Sequence, residues 1–99
     1  MQNQEFTLPK DKIEKFCRKH HIRRLSLFGS ILSGTRREDS DVDILVEFDD
    51  GHIPGLKFFS MQEELSGMLD CPVDLNTPSF LSRYFRDEVM RKAKVCYER

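Results

Sequence analysis

"LFGSILSGTRREDSDVDILVEF" spans Leu27 to Phe48. An alternating apolar segment, "RRLSLFG", runs into its Gly-Ser, Gly29 and Ser30. Ten residues further on, Asp41 and Asp43 open "DVDILVEF", which is rich in β-branched residues and reads as the strongest strand of the chain. The stretch thus reads as a strand, a glycine turn, a polar loop, "TRREDS", and a second strand. In the first strand Leu25 and Leu27 share one face, with Ser26 and Phe28 on the other. Residues 30–33 suit one helical turn stopped at Gly34.

Outward from this stretch the pattern alternates. Residues 9–20 read as a helix, with Pro9 in the first turn and Ile13, Phe16, Cys17 and His20 on one side. The turn "DDGH" follows the second strand. Residues 56–69 return to helical spacing through Phe58, Met61, Leu65, Met68 and Leu69, a core stripe. "CPVDLN" is a short strand, with Val73 and Leu75 on one face and Asp74 on the other. Thr77 and Pro78 start a helix that runs to about Lys92 with room for one break, and "KVCYE" suits a last strand. The fold class expected is α/β or α+β, a small sheet covered by helices.

Ninety-nine residues suit one domain, taken as 1–99, with one modest core. With 16 basic and 17 acidic residues the net charge is −1, against a general nucleic-acid binder. No direct nucleic-acid binding is expected. Cys17, Cys71 and Cys96 are widely spaced and lack C-x-x-C, so they read as small hydrophobes in a reducing compartment. "MQNQEF" has no signal pattern, and no apolar run approaches the roughly 20 residues of a membrane span. A cytoplasmic protein with no membrane partner is expected.

The carboxylates carry the chemistry. Strand alternation points Asp41 and Asp43 the same way, their Cα atoms about 6.5–7 Å apart. Should the strand of Asp74 lie beside theirs, three carboxylates meet. Anions held that close resist ionising unless a cation joins them. Mg²⁺ prefers carboxylate and phosphate oxygens, and two such ions about 3.5–4 Å apart clamp the attacking and leaving oxygens of a phosphoryl or nucleotidyl transfer. Gly29 lets backbone approach a ligand closely, and Ser30 at the start of a helical turn offers N–H groups and a hydroxyl to phosphate. An aspartyl-phosphate phosphatase reading fails on placement, because here the apolar run follows the Asp pair. A P-loop reading fails because no G-x-x-x-x-G-K-[ST] is present.

"GSILSGTRREDSDVD" resembles the G-S-x10-D-x-D signature of the polymerase-β-like nucleotidyltransferases. With "VDLNTP" and the short length it looks like their minimal nucleotidyltransferase (MNT) branch, over residues 10–97. The resemblance implies a small mixed sheet flanked by helices, and Mg²⁺-dependent transfer of AMP from ATP, with two ions. It implies a HEPN-domain toxin as partner, with the MNT chain as antitoxin modifying a toxin tyrosine. By resemblance Gly29, Ser30 and Ser40 bind nucleotide, Asp41 and Asp43 hold metal, and Asp74 is the third carboxylate, a metal ligand and the base for the attacking hydroxyl. One departure stands out: the branch often carries arginine after the Gly-Ser, and this chain has Ile31, with Arg36 and Arg37 nearby.

Other features have plainer readings. His20 and His21 are helix-end residues, without a third ligand in view. Arg83, Arg86, Arg91, Lys92 and Lys94 form a solvated face, and Phe80, Tyr84 and Phe85 read as core. Two further functions are carried beside protein adenylylation: an antitoxin that acts by binding alone, and transfer to a small molecule. The short chain disfavours the second, since nothing is left over to bind that acceptor.

Overall fold

The computed structural model describes residues 8–29, 41–51 and 54–99. Helix α1 (Lys10–Lys19) leads to β1 (Ile22–Phe28), and β2 (Val42–Phe48) to α2 (Lys57–Leu69). Strand β3 (Val73–Asn76), a 3₁₀ turn (Pro78–Phe80), α3 (Arg83–Lys92) and β4 (Lys94–Glu98) complete the chain. The proposed helical turn at residues 30–33 lies outside the described residues, as do Ser30, Ile31, Arg36, Arg37 and Ser40.

The sheet order is β3-β2-β1-β4. Strand β1 pairs antiparallel with both β2 and β4, whereas β2 and β3 run parallel. The sheet is therefore mixed, as expected. Helices α1 and α2 supply Ile13, Phe16, Cys17, Phe58, Met61 and Leu65 to one face of it. Leu25, Leu27, Val42, Ile44, Val46, Val73 and Leu75 meet them from the strands. Period-2 alternation thus sends Asp43, Leu45 and Glu47 of β2 to the opposite face, where Leu45 sits opposite Ser26 and both are buried.

Strand β3 is an edge, and α2 satisfies its outward N–H groups. Val73 N–H donates to Ser66 Oγ at 3.1 Å and Leu75 N–H to Gln62 Oε1 at 2.9 Å. Those two bonds hold the strand that carries Asp74 against the helix. At the other end of the sheet His21, in the left-handed region at φ +59°, turns α1 into β1, and its carbonyl accepts the Asp49 N–H at 2.8 Å.

The region after β3 has the one break the sequence left room for, and departs from expectation in its cap and its aromatic residues. The helix breaks at Leu81, whose extended backbone ends the 3₁₀ turn and buries its side chain. Ser82 then caps α3, its Oγ accepting the Tyr84 N–H at 3.3 Å, while Thr77 makes no side-chain cap. Phe80, Tyr84 and Phe85 are not core: they are 63 %, 93 % and 48 % exposed, and α3 buries no residue. Four short strands offer one face wide enough for two helices, and α1 and α2 already fill it.

Cys17 is fully buried, and burial pushes its thiol up to about 12, against a smaller opposing effect of Arg99. Cys71 and Cys96 are half-buried and all three are free. Among the described residues no helix is long and apolar enough to cross a membrane.

Candidate functional site

Strand register assembles the site. Phe28, the last residue of β1, sits opposite Asp43 in β2, and Asp43 sits beside Asp74 in β3. Neighbouring strands lie about 4.8 Å apart, so residues in register on one face hold their side chains together. Val73 and Leu75 are buried in the core, and this leaves Asp74 exposed on the face of Asp43.

Gly29 closes this row. Its φ of +79° lies in the left-handed region, and the turn it makes returns the backbone against Asp43. A Cβ placed on Gly29 would fall inside the contact radius of Asp43 Oδ2 and 3.0 Å from its Cγ. The glycine is thus required twice, by backbone conformation and by space. From sequence it was read as giving room to a ligand; the space it gives is taken by a carboxylate.

Asp43 is half-buried, and its carboxyl is pushed up to about 6. Burial is the largest cause, followed by the negative charge of Asp74, a hydrogen bond shared with that carboxyl, and the charge of Asp41. Asp43 therefore keeps its proton at pH values where an isolated aspartate has released it.

Asp41 departs from the expected three-carboxylate cluster. It lies just before β2, exposed, near enough for its charge to act on Asp43. Among the described residues no three His, Cys, Asp or Glu side chains are grouped at metal-ligand spacing. Two carboxyls are held together by strand register, whereas Asp41 stands outside the ladder. The donor set still suits a hard divalent cation: it offers carboxylate oxygens, an electrostatic conflict that a cation would relieve, and a glycine wall without a side chain.

The histidines have structural roles on the far side. The His20 ring packs on Phe16 with centroids 4.6 Å apart, and its Nε2 lies 3.0 Å from Glu64 Oε1. Burial raises the Glu64 carboxyl, but hydrogen bonds from His20 and Lys19 outweigh it and hold the group below its ordinary value. This contact pins α1 to α2 and carries no metal chemistry.

The raised Asp43 carboxyl has a consequence for the metal-free protein. An unfolded aspartate titrates near 3.9, so the folded state is favoured fully below that value and loses the advantage as pH rises through about 6. Asp43→Asn removes the burden. In chelator at about pH 8 the variant should be more stable than the parent by about 1 kcal/mol, a figure discounted for solvent screening. At about pH 4 the advantage should largely vanish, because the parent carboxyl is then protonated in the folded state and about half protonated in the unfolded one. Thermal unfolding at the two pH values checks this, and equal midpoints at the higher pH would refute the strained pair.

Comparison with known proteins follows this geometry. The family described as "Polymerase beta, Nucleotidyltransferase" matches residues 11–99. A protein adenylyltransferase MntA of Thermococcus cleftensis is 42 % identical over 72 residues, 72 % of this chain and 71 % of that protein. A candidate protein adenylyltransferase of Methanocaldococcus jannaschii is 34 % identical over 84 residues, 85 % of this chain and 89 % of that protein. Among solved structures, a toxin–antitoxin crystal structure with AMP-PNP superposes with a TM-score of 0.74 at 28 % identity, covering 93 % of this chain and 75 % of that one.

Proposed function

We propose a function from one premise: the chain belongs to the polymerase beta nucleotidyltransferase family. It transfers AMP from ATP to a tyrosine hydroxyl of a partner HEPN-domain toxin, in a Mg²⁺-dependent reaction, and so acts as that toxin's antitoxin. The observation that carries this reading is the row Gly29, Asp43, Asp74 across three neighbouring elements, with Asp41 at its mouth. The named relatives are adenylyltransferases, and a solved toxin–antitoxin structure with a triphosphate analogue shares the fold.

In this reading Asp41, Asp43 and Asp74 hold the metal. Bound there, Mg²⁺ supplies charge neutralisation for the triphosphate and for the leaving pyrophosphate. Gly29 keeps the first turn flush against Asp43, so that the phosphates enter over backbone rather than a side chain. Ser30 and Ser40 take the nucleotide-binding role that the resemblance gives them. The acceptor oxygen bonds to the α-phosphorus as the bond to pyrophosphate breaks. Its proton passes to the exposed Asp74 carboxylate, the one member of the pair that solvent and an incoming hydroxyl reach.

The metal assignment is tested by the double variant Asp41→Asn, Asp43→Asn. It should retain its fold, since neither side chain belongs to the core, and should lose calorimetrically detectable MgATP binding. Unchanged affinity in the folded double variant would remove the metal role. The acceptor is tested by mass spectrometry of the co-expressed toxin, where an added AMP on tyrosine is expected.

A second reading keeps the antitoxin role without catalysis. It is favoured by Ile31, which stands where the resemblance leads one to expect an arginine for the triphosphate.

A further inference from the structure

A cavity of about 550 Å³ opens at the end of the sheet remote from the carboxylates. Its position is separate from the nucleotide site on two counts. Phe48 is five residues along β2 from Asp43, about 17 Å at strand rise, and it faces the helices rather than the Asp43 face.

Three phenylalanines form its walls. Phe58 comes from α2 and Phe80 from the 3₁₀ turn, their centroids 5.1 Å apart and their planes at 70°. Two rings at that angle make a corner of aromatic faces, and Phe48 adds a third wall. Phe80 is 63 % exposed, an apolar surface that folding leaves without cover among the described residues.

Among the described residues the polar part of the lining carries only one sign of charge. Asp49 and Asp50 line the cavity, Thr77 adds a hydroxyl, and no described lining residue is cationic. Asp49 is paired with Arg99. Asp50, exposed, makes no ion pair among the described residues, and Lys57 lines the adjoining cavity instead. Ring faces are negative, and an aromatic corner backed by a carboxylate attracts a cation that is only weakly hydrated.

We propose that this pocket binds an organic cation on an apolar stem, a guanidinium or alkylammonium group, seated against Phe48, Phe58 and Phe80 with Asp50 as its counter-charge. Such a group is presented by an arginine or lysine side chain of a docking protein, or by a free amine. Stem and rings bury apolar surface while the charge meets Asp50, so neither a neutral nor an anionic ligand satisfies the whole lining.

The test uses the whole protein and four probes followed by NMR of the phenylalanine ring signals. These are Nα-acetyl-arginine methylamide, its uncharged citrulline analogue, butylammonium and tetramethylammonium. Saturable shifts of Phe48, Phe58 and Phe80 are expected with the arginine probe, and about tenfold weaker binding with citrulline, the scale of one desolvated cation–π contact. Asp50→Asn and Phe80→Ala, both at exposed positions, should weaken the arginine probe similarly while thermal unfolding stays near the parent's. Preference for blocked arginine over the simple ammoniums supports the pocket as one for a protein side chain. The reverse preference supports a free amine. No saturable shift with any cation, equal binding of citrulline, or full affinity in both variants would overturn the proposal. Asp43→Asn should leave every one of these titrations unchanged, which keeps the outcome independent of the nucleotide site.

Discussion

Asp74→Asn should reduce AMP transfer to the toxin by about 10²-fold or more, the usual scale for loss of a general base. The side chain is exposed, lies on the face opposite Val73 and Leu75, and sits in register with Asp43. Its removal therefore leaves the core intact and should lower the Asp43 carboxyl, because the charge and hydrogen bond of Asp74 both hold that carboxyl up. Toxin binding should persist, since one carboxylate in a cleft adds little to an interface of the usual size, about 1,600 Å². Two assays on this variant decide between the two antitoxin readings: mass shift of the toxin, and rescue of cell growth when the toxin is expressed. Joint loss of transfer and rescue identifies catalysis as the function. If transfer vanishes while rescue persists at equal protein levels, neutralisation is by binding, and the enzymatic account of the antitoxin fails.

Gly29→Val should be as damaging, for a different reason. A β-branched residue at φ +79° is forced into a region that L side chains avoid, at a cost of about 1–3 kcal/mol. Its Cβ would also displace the Asp43 carboxyl, which lies where that atom must go. In the proposed site, displacing the Asp43 carboxylate by about 1 Å should be enough for a roughly 10²-fold loss of turnover. Gly29→Ala with Asp43→Ala separates the causes. Removing the carboxyl should recover stability lost in Gly29→Ala, because the clash partner is gone, yet transfer should remain absent. Normal turnover in Gly29→Val would show that the turn does not need to lie against Asp43.

The strands and helices that carry local periodicity were legible without coordinates. The alternation of β1 and β2, the apolar stripe of α2 and the placement of Asp74 opposite Val73 and Leu75 all follow from side-chain direction within a single segment. The region after Thr77 was less legible. Pro78 marks a start, but the break at Leu81 and the Ser82 cap depend on where Leu81 finds burial. Phe80, Tyr84 and Phe85 look like core by composition alone and are exposed, because the available sheet face had been filled by helices earlier in the chain.

What the sequence by itself determined is the inventory: the strands and helices of one small α/β domain, a glycine turn, and three aspartates whose faces alternation assigns. Whether those aspartates meet is a question of strand order and register, which joins segments about 30 residues apart. The parallel pairing of β2 with β3 put Asp43 beside Asp74, and the register of β1 with β2 placed Gly29 against Asp43. Neither follows from local pattern, since the same alternation fits β3 at a different place in the sheet. The half-burial of Asp43, and with it the raised carboxyl, arises only once β1 and β3 flank β2 on both sides.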